Sequence, residues 1–435
     1  MKVAVIGSGI SGLAASYALR TKAQVSLFEA VDYFGGHTHT VDVSLPDVHG
    51  QVVTQGVDTG FLVFNERTYP GFIALLDELK VPTACTDMSF SVQVPGAGWG
   101  GRPLEWNGAN LRSVFAQKSN FFRPRFWHML REVLRFNALC TRIAEANEDV
   151  LLQQSLADFL QQHGFDKTFR DWYFLPMLGC IWSSPTDQML RFPVATMIRF
   201  CHNHGLTQVS HRPQWWTVAG GARQYVDRVV RQLPDARLNS PVQWIERDDY
   251  GVTVFSANGQ ERFDAAVLAV HSDQALAMLA KPSVQEQAVL GAIGYQPNVA
   301  VLHTDASVMP QRKEAWAAWN YERAVIAERE AAHVCLHYWL NRLQPLPFAQ
   351  PVIVSLNPVR DIDPSRVLAR IQYQHPVFDL AAMEAQKQVP ALQGQQRTWF
   401  CGAWTGYGFH EDGWKSGYSA AQCVLASLMR QVEPA

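Results

Sequence analysis

The glycine-rich turn at residues 7–12 restricts the possible folds of this chain more than any other feature. The apolar run Lys2–Ile6 is typical of a central parallel strand, and it leads directly into Gly-Ser-Gly-Ile-Ser-Gly. Good helix formers follow at Leu13–Leu19. A Gly-x-Gly-x-x-Gly turn between a strand and a helix predicts a site where backbone amides bind the diphosphate of a dinucleotide. We therefore expect a doubly wound α/β domain at this end of the chain.

The individual glycines of the turn and a later acidic residue refine this prediction. Gly7 permits the tight turn, Gly9 lets the backbone approach the diphosphate, and Gly12 lets the helix lie close to the strand. A second predicted strand, Gln24–Phe28, ends at Glu29. A carboxylate at this point accepts hydrogen bonds from the ribose hydroxyls of an adenosine and repels a 2′-phosphate.

Three later segments distinguish FAD from NAD. Gly35-Gly36 follows the second strand and lets a loop pass close to the cofactor. Val57–Phe64 contains Asp-Thr-Gly before an apolar run, and Thr398–Trp404 leads into a small-residue segment at 408–421. In this order the segments resemble the FAD-containing amine oxidase superfamily, which also includes protoporphyrinogen oxidases and carotenoid desaturases. The resemblance implies non-covalently bound FAD and an oxidoreductase that transfers two electrons.

The resemblance also implies which residues hold the cofactor. Val218–Ala222 resembles the family's re-entry into the FAD domain, and Arg237–Ile245 resembles the strand whose valine, here Val242, reads the adenine edge. One departure is His37, which stands where many members carry an arginine beside the phosphates. The implied FAD contacts are Gly7, Gly9, Ser11, Gly12, Glu29, Ala30, Gly35, Gly36, His37, Thr38, Thr59, Gly60, Phe61, Val242, Gly402, Ala403, Asp412, Gly413 and Trp414.

The order of these segments predicts two domains that are interleaved along the chain. We expect a Rossmann-like FAD-binding domain built from residues 1–70, 215–282 and 396–435. An α+β substrate-binding domain would then comprise 71–214, which reads mostly as helices, and 283–395, which reads as a mixed sheet. A chain of 435 residues is long for a single core, which agrees with two domains.

A closer resemblance suggests the substrate. Phe34–Thr40, Asn120–Trp127 and Leu302–Asp305 resemble a bacterial subfamily of FAD proteins that accompany cyclopropane-fatty-acid synthases. This resemblance implies hydride transfer between flavin and an apolar lipid or fatty-acyl substrate. Two alternatives stay open at this point. One is a conventional amine oxidase, and the other is a non-catalytic escort protein with an FAD fold that binds a lipid chain.

The segment that begins the last helix offers the candidates for chemistry. The resemblance puts His410 and Glu411 near the flavin ring, as titratable catalytic groups, and Phe409 near an aromatic cage position in the substrate pocket. Lys415 is a weaker candidate, because a lysine at this spacing commonly faces solvent on a helix. Each of these four residues also has an ordinary structural interpretation. Hydride transfer itself needs orientation and exclusion of water more than an acid or a base.

A basic and aromatic segment suggests a second partner. Residues 112–142 contain seven Lys or Arg and one acid, Glu132, interleaved with phenylalanines and Trp127. Such a pattern is typical either of a surface helix over the core or of a segment that lies on an anionic membrane. A lipid substrate would favour the membrane interpretation.

Composition and charge exclude other classes of protein. The net charge of −2 argues against a general nucleic-acid binder. Seven scattered cysteines without a Cys-x-x-Cys pair indicate a reducing compartment. The histidine clusters at 37–39 and 201–204 lack the partner spacing of a metal site, so we expect no metal. With no apolar run of about 20 residues and no leader, the sequence predicts a cytoplasmic protein, and the membrane interpretation of residues 112–142 adds peripheral contact with the inner membrane surface. It leaves the oligomeric state open.

Overall fold

A five-stranded parallel sheet organises the part of the molecule that contains the glycine-rich turn. The computed structural model describes residues 1–148, 154–183, 185–208, 212–325 and 333–432. In the parallel sheet the strands lie in the order Asp235–Arg237, Gln24–Phe28, Lys2–Ile6, Ala265–Leu268, Thr398–Phe400.

The central strand Lys2–Ile6 is buried on both faces, which is why its sequence is a continuous apolar run. Val3 and Val5 pack into the core that includes the helices Ile10–Leu19 and His410–Val432. Ala4 and Ile6 pack on the other side. That second layer contains an antiparallel sheet and three helices: Val242–Asp248, Gly251–Ser256, Gly259–Phe263, Ser272–Met278, Val284–Leu290 and Leu380–Leu392. The predicted doubly wound α/β class is confirmed.

A seven-stranded mixed sheet forms the second part of the molecule. Its strands lie in the order Val367–Val377, Gly294–His303, Ile353–Leu356, Cys335–Trp339, Trp319–Glu322, Phe90–Val94, Leu104–Asn107. All neighbours are antiparallel except Trp319–Glu322 and Phe90–Val94, which are parallel. The helices that share the core of this sheet include Pro124–Glu145, Leu156–Gln162, Leu175–Trp182 and Val194–Asn203.

Shorter elements connect the two sheets. Thr40–Pro46 pairs with Val52–Asp58, and Trp215–Val218 lies between Phe64–Asn65 and Thr83–Thr86. In the described part of the chain, the other α-helices are Pro70–Glu78, Leu111–Val114, Lys167–Phe169, Thr186–Leu190, Arg223–Val230 and Leu340–Leu343. Within the described residues, no helix is both long and apolar enough to cross a membrane.

Two local predictions differ from the structure. Residues 71–214 are mainly helical, but they also contribute Phe90–Val94 and Leu104–Asn107 to the mixed sheet. The segment expected as one strand at Arg237–Ile245 is divided, because its first residue ends a strand of the parallel sheet and Val242 begins a strand of the antiparallel one. Asn239, with a φ of 49°, lies at the break between them.

Candidate active site

A cavity of about 850 Å³ extends from the glycine-rich turn to the mixed sheet. At one end it is lined by Gly7 and Glu29, and at the other by Phe90 and Trp319. Parallel strands present their carboxyl ends and the following loops to the same edge of a sheet, so a cavity at this edge is the expected ligand site of a doubly wound fold.

The turn at residues 7–12 has the close packing that its glycines suggested. Gly7 has a φ of 97°, and a β-carbon added to Gly12 would lie 1.8 Å from the carbonyl oxygen of Gly7. A β-carbon on Gly9 would meet nothing within 4 Å. The space beside Gly9 therefore opens into the cavity at the amino end of the helix Ile10–Leu19, where a diphosphate is favoured by free amides and by the helix dipole.

The Gly-Gly loop lies directly against this turn. Gly36 has a φ of 58°, and a β-carbon added to it would lie 3.2 Å from the Cα of Gly9. The Ser8 hydroxyl joins the two segments, since it accepts a hydrogen bond from the Gly35 amide at 3.0 Å and donates one to Glu29 at 2.5 Å. Glu29 lines the cavity beside this turn, and its contact with a ribose stays a prediction.

The Asp-Thr-Gly segment packs against the loop that contains Gly35, Gly36 and His37. The Asp58 carboxylate accepts hydrogen bonds from the Ala222 amide and the Thr40 hydroxyl, and burial raises the pKa of Asp58 to about 7. A β-carbon added to Gly60 would lie 2.2 Å from the carbonyl oxygen of His37. The glycine of this motif is thus required by the close approach of the loop that carries His37.

His410 is a buried ring in the cavity wall. Its ring stacks on Phe61 at 3.7 Å between centroids, and its Nε2 lies 2.8 Å from the Tyr225 hydroxyl. That hydroxyl also lies 2.7 Å from the Thr38 hydroxyl. Burial, with repulsion from His37, lowers the pKa of His410 to about 3. At neutral pH the ring is therefore uncharged and forms a hydrogen bond with the hydroxyl group of Tyr225.

Glu411 occupies a different place from the one that the sequence suggested. Its carboxylate accepts hydrogen bonds from the amides of Gly71 at 3.0 Å and Phe72 at 2.9 Å, at the start of the helix Pro70–Glu78. Lys415 lies 3.4 Å from the same carboxylate. Neither Glu411 nor Lys415 is among the residues that line the cavity. This geometry favours a helix-capping role for Glu411 over the predicted catalytic one.

The end of the cavity far from the glycine turn is aromatic and aliphatic. Phe409 stacks on Phe200 with ring centroids 4.6 Å apart, and Trp182 packs edge-on against Phe409. Throughout the described cavity lining, Glu29 is the sole acid, and no lysine or arginine is present. Apolar residues that continue this end are Met88, Phe90, Met177, Ile181, Leu206, Trp319, Tyr338, Val354, Leu356 and Phe378.

Most of the residues implied as FAD contacts line this cavity. They are Gly7, Gly9, Ser11, Glu29, Ala30, Gly35, Gly36, His37, Thr38, Thr59, Gly60, Phe61, Val242, Gly402 and Ala403. Gly12, Asp412, Gly413 and Trp414 do not line it. Asp412 accepts hydrogen bonds from the amides of Tyr407 and Phe409, and burial raises its pKa to about 6. A β-carbon on Gly413 would lie 2.6 Å from the side chain of Ile10, so this glycine lets two helices pack closely.

Several lining residues were not found from the sequence. Phe200, His271, Tyr373 and His375 all border the cavity. For His271 the signal was its position, since it follows the buried strand Ala265–Leu268 at the ligand edge of the sheet. No comparable signal marks the other three, which come from the second part of the molecule.

One histidine of each cluster that was considered as a metal site stacks on an aromatic ring. His39 stacks on Tyr33 at 4.2 Å, and His204 stacks on Phe200 at 3.8 Å. The structure instead brings together Glu322, Cys335 and His337 on the far face of the mixed sheet. Their polar atoms belong to a buried hydrogen-bond network that also includes Ser355, His303 and Arg360.

Comparison with known proteins agrees with this site. The family of flavin containing amine oxidoreductases matches residues 10–327. The curated protein "Putative flavin-containing monoamine oxidase AofH" of Mycobacterium tuberculosis is 27% identical over 281 residues, which cover 62% of this chain and 56% of that protein. The chain therefore spans little more than half the length of this relative.

Solved structures share the fold over nearly the whole chain. Cyclohexylamine oxidase from Brevibacterium oxydans superposes with a TM-score of 0.69 at 17% identity, covering 99% of each chain. A fatty acid isomerase from P. acnes that produces CLA superposes with a TM-score of 0.65 at 16% identity, covering 98% of each chain. At such low identity these two structures are informative about the fold alone.

Proposed function

The chain belongs to the flavin containing amine oxidoreductase family, an FAD-dependent class of oxidoreductases, and from this premise we propose that it oxidises an uncharged lipid acyl chain. The residues of the cavity fit a non-covalent FAD. The open space beside Gly9 and the close Gly36–Gly9 approach provide a cradle for a diphosphate, and Glu29 stands at the adenosine end.

The uncharged end of the cavity far from the glycine-rich turn is the observation that supports an apolar substrate. Burying an ion without a partner is costly, so a free carboxylate or ammonium group would gain nothing from walls made of Phe, Trp, Met and Leu. An acyl chain gains free energy from each buried methylene, about 0.8 kcal/mol in transfer experiments. An esterified acyl chain or a neutral lipid fits these walls better than a free fatty acid.

The chain's own residues orient the substrate and exclude water. FAD supplies the two-electron chemistry when it is bound. Phe409 and Phe200 form one wall beside the predicted flavin position, and they hold an apolar chain in one plane. His410 is neutral and hydrogen-bonded to Tyr225, so we assign it to positioning the wall at Phe61 and not to proton transfer. A dry slot of this kind favours transfer of hydride over side reactions with solvent.

The residues 111–131 support contact with an anionic membrane as part of the same proposal. Leu111, Phe121, Phe122 and Trp127 are exposed hydrophobic residues, and Phe122 is 75% exposed. Phe121 contacts both Phe122 and Trp127, so these rings form one patch. The exposed cations Arg112, Lys118 and Arg125 lie within ten positions of Phe121 in the chain, and none of them forms an ion pair with a described residue. Unpaired cations beside exposed aromatic rings suit an anionic lipid surface.

An amine oxidase remains the alternative, because the curated relative is described as a monoamine oxidase. The described cavity lining contains no acid other than Glu29, and this argues against a positively charged amine as the substrate. The escort alternative is disfavoured by the complete glycine cradle, which a protein without cofactor has no need to keep. The resemblance to proteins that accompany cyclopropane-fatty-acid synthases agrees with a lipid substrate.

The experiment follows the visible absorbance of the FAD-loaded protein under anaerobic conditions. We expect vesicles of phosphatidylglycerol with unsaturated chains to bleach the oxidised flavin, and sodium oleate and benzylamine to leave it unchanged. Bleaching by benzylamine, with peroxide formed in air, would establish the amine oxidase instead. A protein that stays yellow with every lipid would rule against the acyl substrate. A protein that takes up no added FAD would contradict the cofactor assignment.

A further inference from the structure

Three histidines lie side by side on the cavity wall next to the phosphate-binding turn. His37 directly follows Gly36, whose approach to Gly9 was described above, and its ring centroid lies 5.4 Å from that of His375 and 6.1 Å from that of His271. His271 follows Ala269, and Ala269 packs against Gly7 of the turn. All three rings line the cavity. We call His37, His271 and His375 the histidine trio.

The trio contains unsatisfied polar atoms. The Nε2 of His37 and the Nδ1 of His271 are buried without a hydrogen-bond partner among the described residues. His375, in contrast, accepts a hydrogen bond at its Nδ1 from the side-chain amide of Asn298 at 2.8 Å. A buried polar atom left unpaired costs free energy, so an unpaired ring nitrogen in a cavity wall is available to a ligand. Turning a histidine ring is inexpensive because its terminal torsion is broad.

The charge of the cavity makes the trio the natural partner of an anion. A diphosphate carries two negative charges, and no lysine or arginine lines the described cavity. The helix dipole at Ile10 offsets about half an elementary charge. The other two histidines of the lining are engaged elsewhere, His204 with the Phe200 carbonyl and His410 with Tyr225. Among the described lining residues, His37 and His271 are therefore the groups left to supply positive charge at the turn.

We propose that His37 and His271, with His375 behind them, take up protons when FAD binds and form the cationic contact to its diphosphate. This assignment rests on FAD being the cofactor and is independent of the identity of the substrate. It also explains why the chain has a histidine where the resembling family commonly carries an arginine.

The neighbouring groups determine the direction of the pH effect. Burial lowers the pKa of His37 and of His271 to about 4, and repulsion between the rings adds to the shift. Burial lowers that of His375 to about 3. Tyr295 stacks on His271 and Tyr373 on His37, and both stay neutral because burial raises their pKa. His410 adds repulsion when charged, and Glu29 is the one carboxylate of the described lining.

With these pKa values the trio is uncharged at pH 7 in the free protein. An adjacent diphosphate favours the charged rings and raises their pKa. Protons are then taken up on binding, and FAD affinity falls as the pH rises through the pKa values of the FAD-bound state. By linkage the dissociation constant increases by up to about tenfold per pH unit for each proton taken up.

The test measures FAD binding and needs no substrate. Protein freed of cofactor is titrated with FAD between pH 5.5 and 8.5, with the quenching of FAD fluorescence as the readout. Calorimetry at pH 7 in two buffers of different ionisation enthalpy gives the number of protons taken up. We expect proton uptake and weaker binding at high pH for the natural protein.

Variants separate charge from folding. We expect His37→Gln and His271→Gln each to weaken binding at pH 6 and to reduce the proton uptake. His37→Arg, whose charge is permanent, should bind FAD at pH 8 more tightly than the natural protein does and should take up fewer protons on binding. His49→Gln, at an exposed position outside the cavity, is the matched control. Binding that is independent of pH in the natural protein, or unchanged proton uptake in both glutamine variants, would overturn the proposal.

Discussion

The hydroxyl group of Tyr225 lies 2.8 Å from the Nε2 of His410, in a part of the core where Tyr225 is fully buried. We expect Tyr225→Phe to leave His410 and Thr38 each without a partner and to lower the free energy of unfolding by about 1–3 kcal/mol. Urea denaturation of the protein without cofactor measures this. Tyr250→Phe, at a tyrosine that is 84% exposed, is the control. Equal stability of the two variants would mean that the bond to His410 contributes nothing.

Lowering the pH should destabilise the fold already at pH values above those at which ordinary carboxylates are protonated. A buried histidine with a lowered pKa binds its proton only in the unfolded chain, so stability is lost as the pH falls from about 6.5 toward 4. Each such group contributes up to about 1.4 kcal/mol per pH unit. Asp58 and Asp412, whose pKa values are raised, act in the opposite direction. The histidines with a lowered pKa outnumber them, and those whose pKa falls to about 3 or 4 are His37, His204, His271, His303, His375 and His410.

Thermal unfolding of the cofactor-free protein between pH 7 and 5 checks this balance. The melting temperature should fall with the pH, and less steeply in His303→Gln, because His303 is fully buried and outside the cavity. A melting temperature that is constant or rises over this range would contradict the assignment of neutral buried histidines.

Gly9 and Gly12 should respond differently to the same substitution. A methyl group on Gly12 would collide with the Gly7 carbonyl, so Gly12→Ala is expected to disturb the turn itself and lower stability. The methyl of Gly9→Ala has free space and points into the cradle, so that variant should fold normally and bind FAD at least tenfold more weakly, a loss of about 1.4 kcal/mol. Gly294→Ala, also in open space, is the control. Normal FAD binding by Gly9→Ala would exclude this turn as the phosphate site.

Glu411→Gln tests capping against catalysis. Loss of the negative charge at the start of Pro70–Glu78 should lower stability by about 0.5–2 kcal/mol. FAD binding and the rate of flavin bleaching by substrate should stay within about twofold of the natural protein, because Glu411 does not line the cavity. Glu314→Gln, at an exposed glutamate, is the matched control. A loss of bleaching of a hundredfold or more with intact stability would restore the catalytic interpretation.

The exposed aromatic patch predicts salt-dependent binding to anionic vesicles. Lys118→Glu combined with Arg125→Glu should abolish sedimentation with phosphatidylglycerol vesicles, and Phe122→Ser should weaken it at all salt concentrations. The same change of charge at exposed Lys22 and Lys281 is the control. Equal sedimentation of the two double variants would show that the patch does not contact membranes.

The sequence by itself determined the parallel sheet, the glycine-rich turn after its central strand and the position of Glu29 at the end of the next strand. These features depend on residues close together in the chain, where strand, glycine spacing and helix specify one local geometry. Most of the implied cofactor residues line the cavity for the same reason.

Only the tertiary structure decided which distant residues Glu411 and the histidine trio contact. Glu411 meets the amides of Gly71 and Phe72, more than 300 positions earlier in the chain, and His37 meets His271 and His375. The parallel pairing of Phe90–Val94 with Trp319–Glu322 is equally remote. Periodicity indicates whether a side chain is buried, but not which distant segment covers it, and burial among those partners is what lowers a histidine pKa or turns a carboxylate into a helix cap.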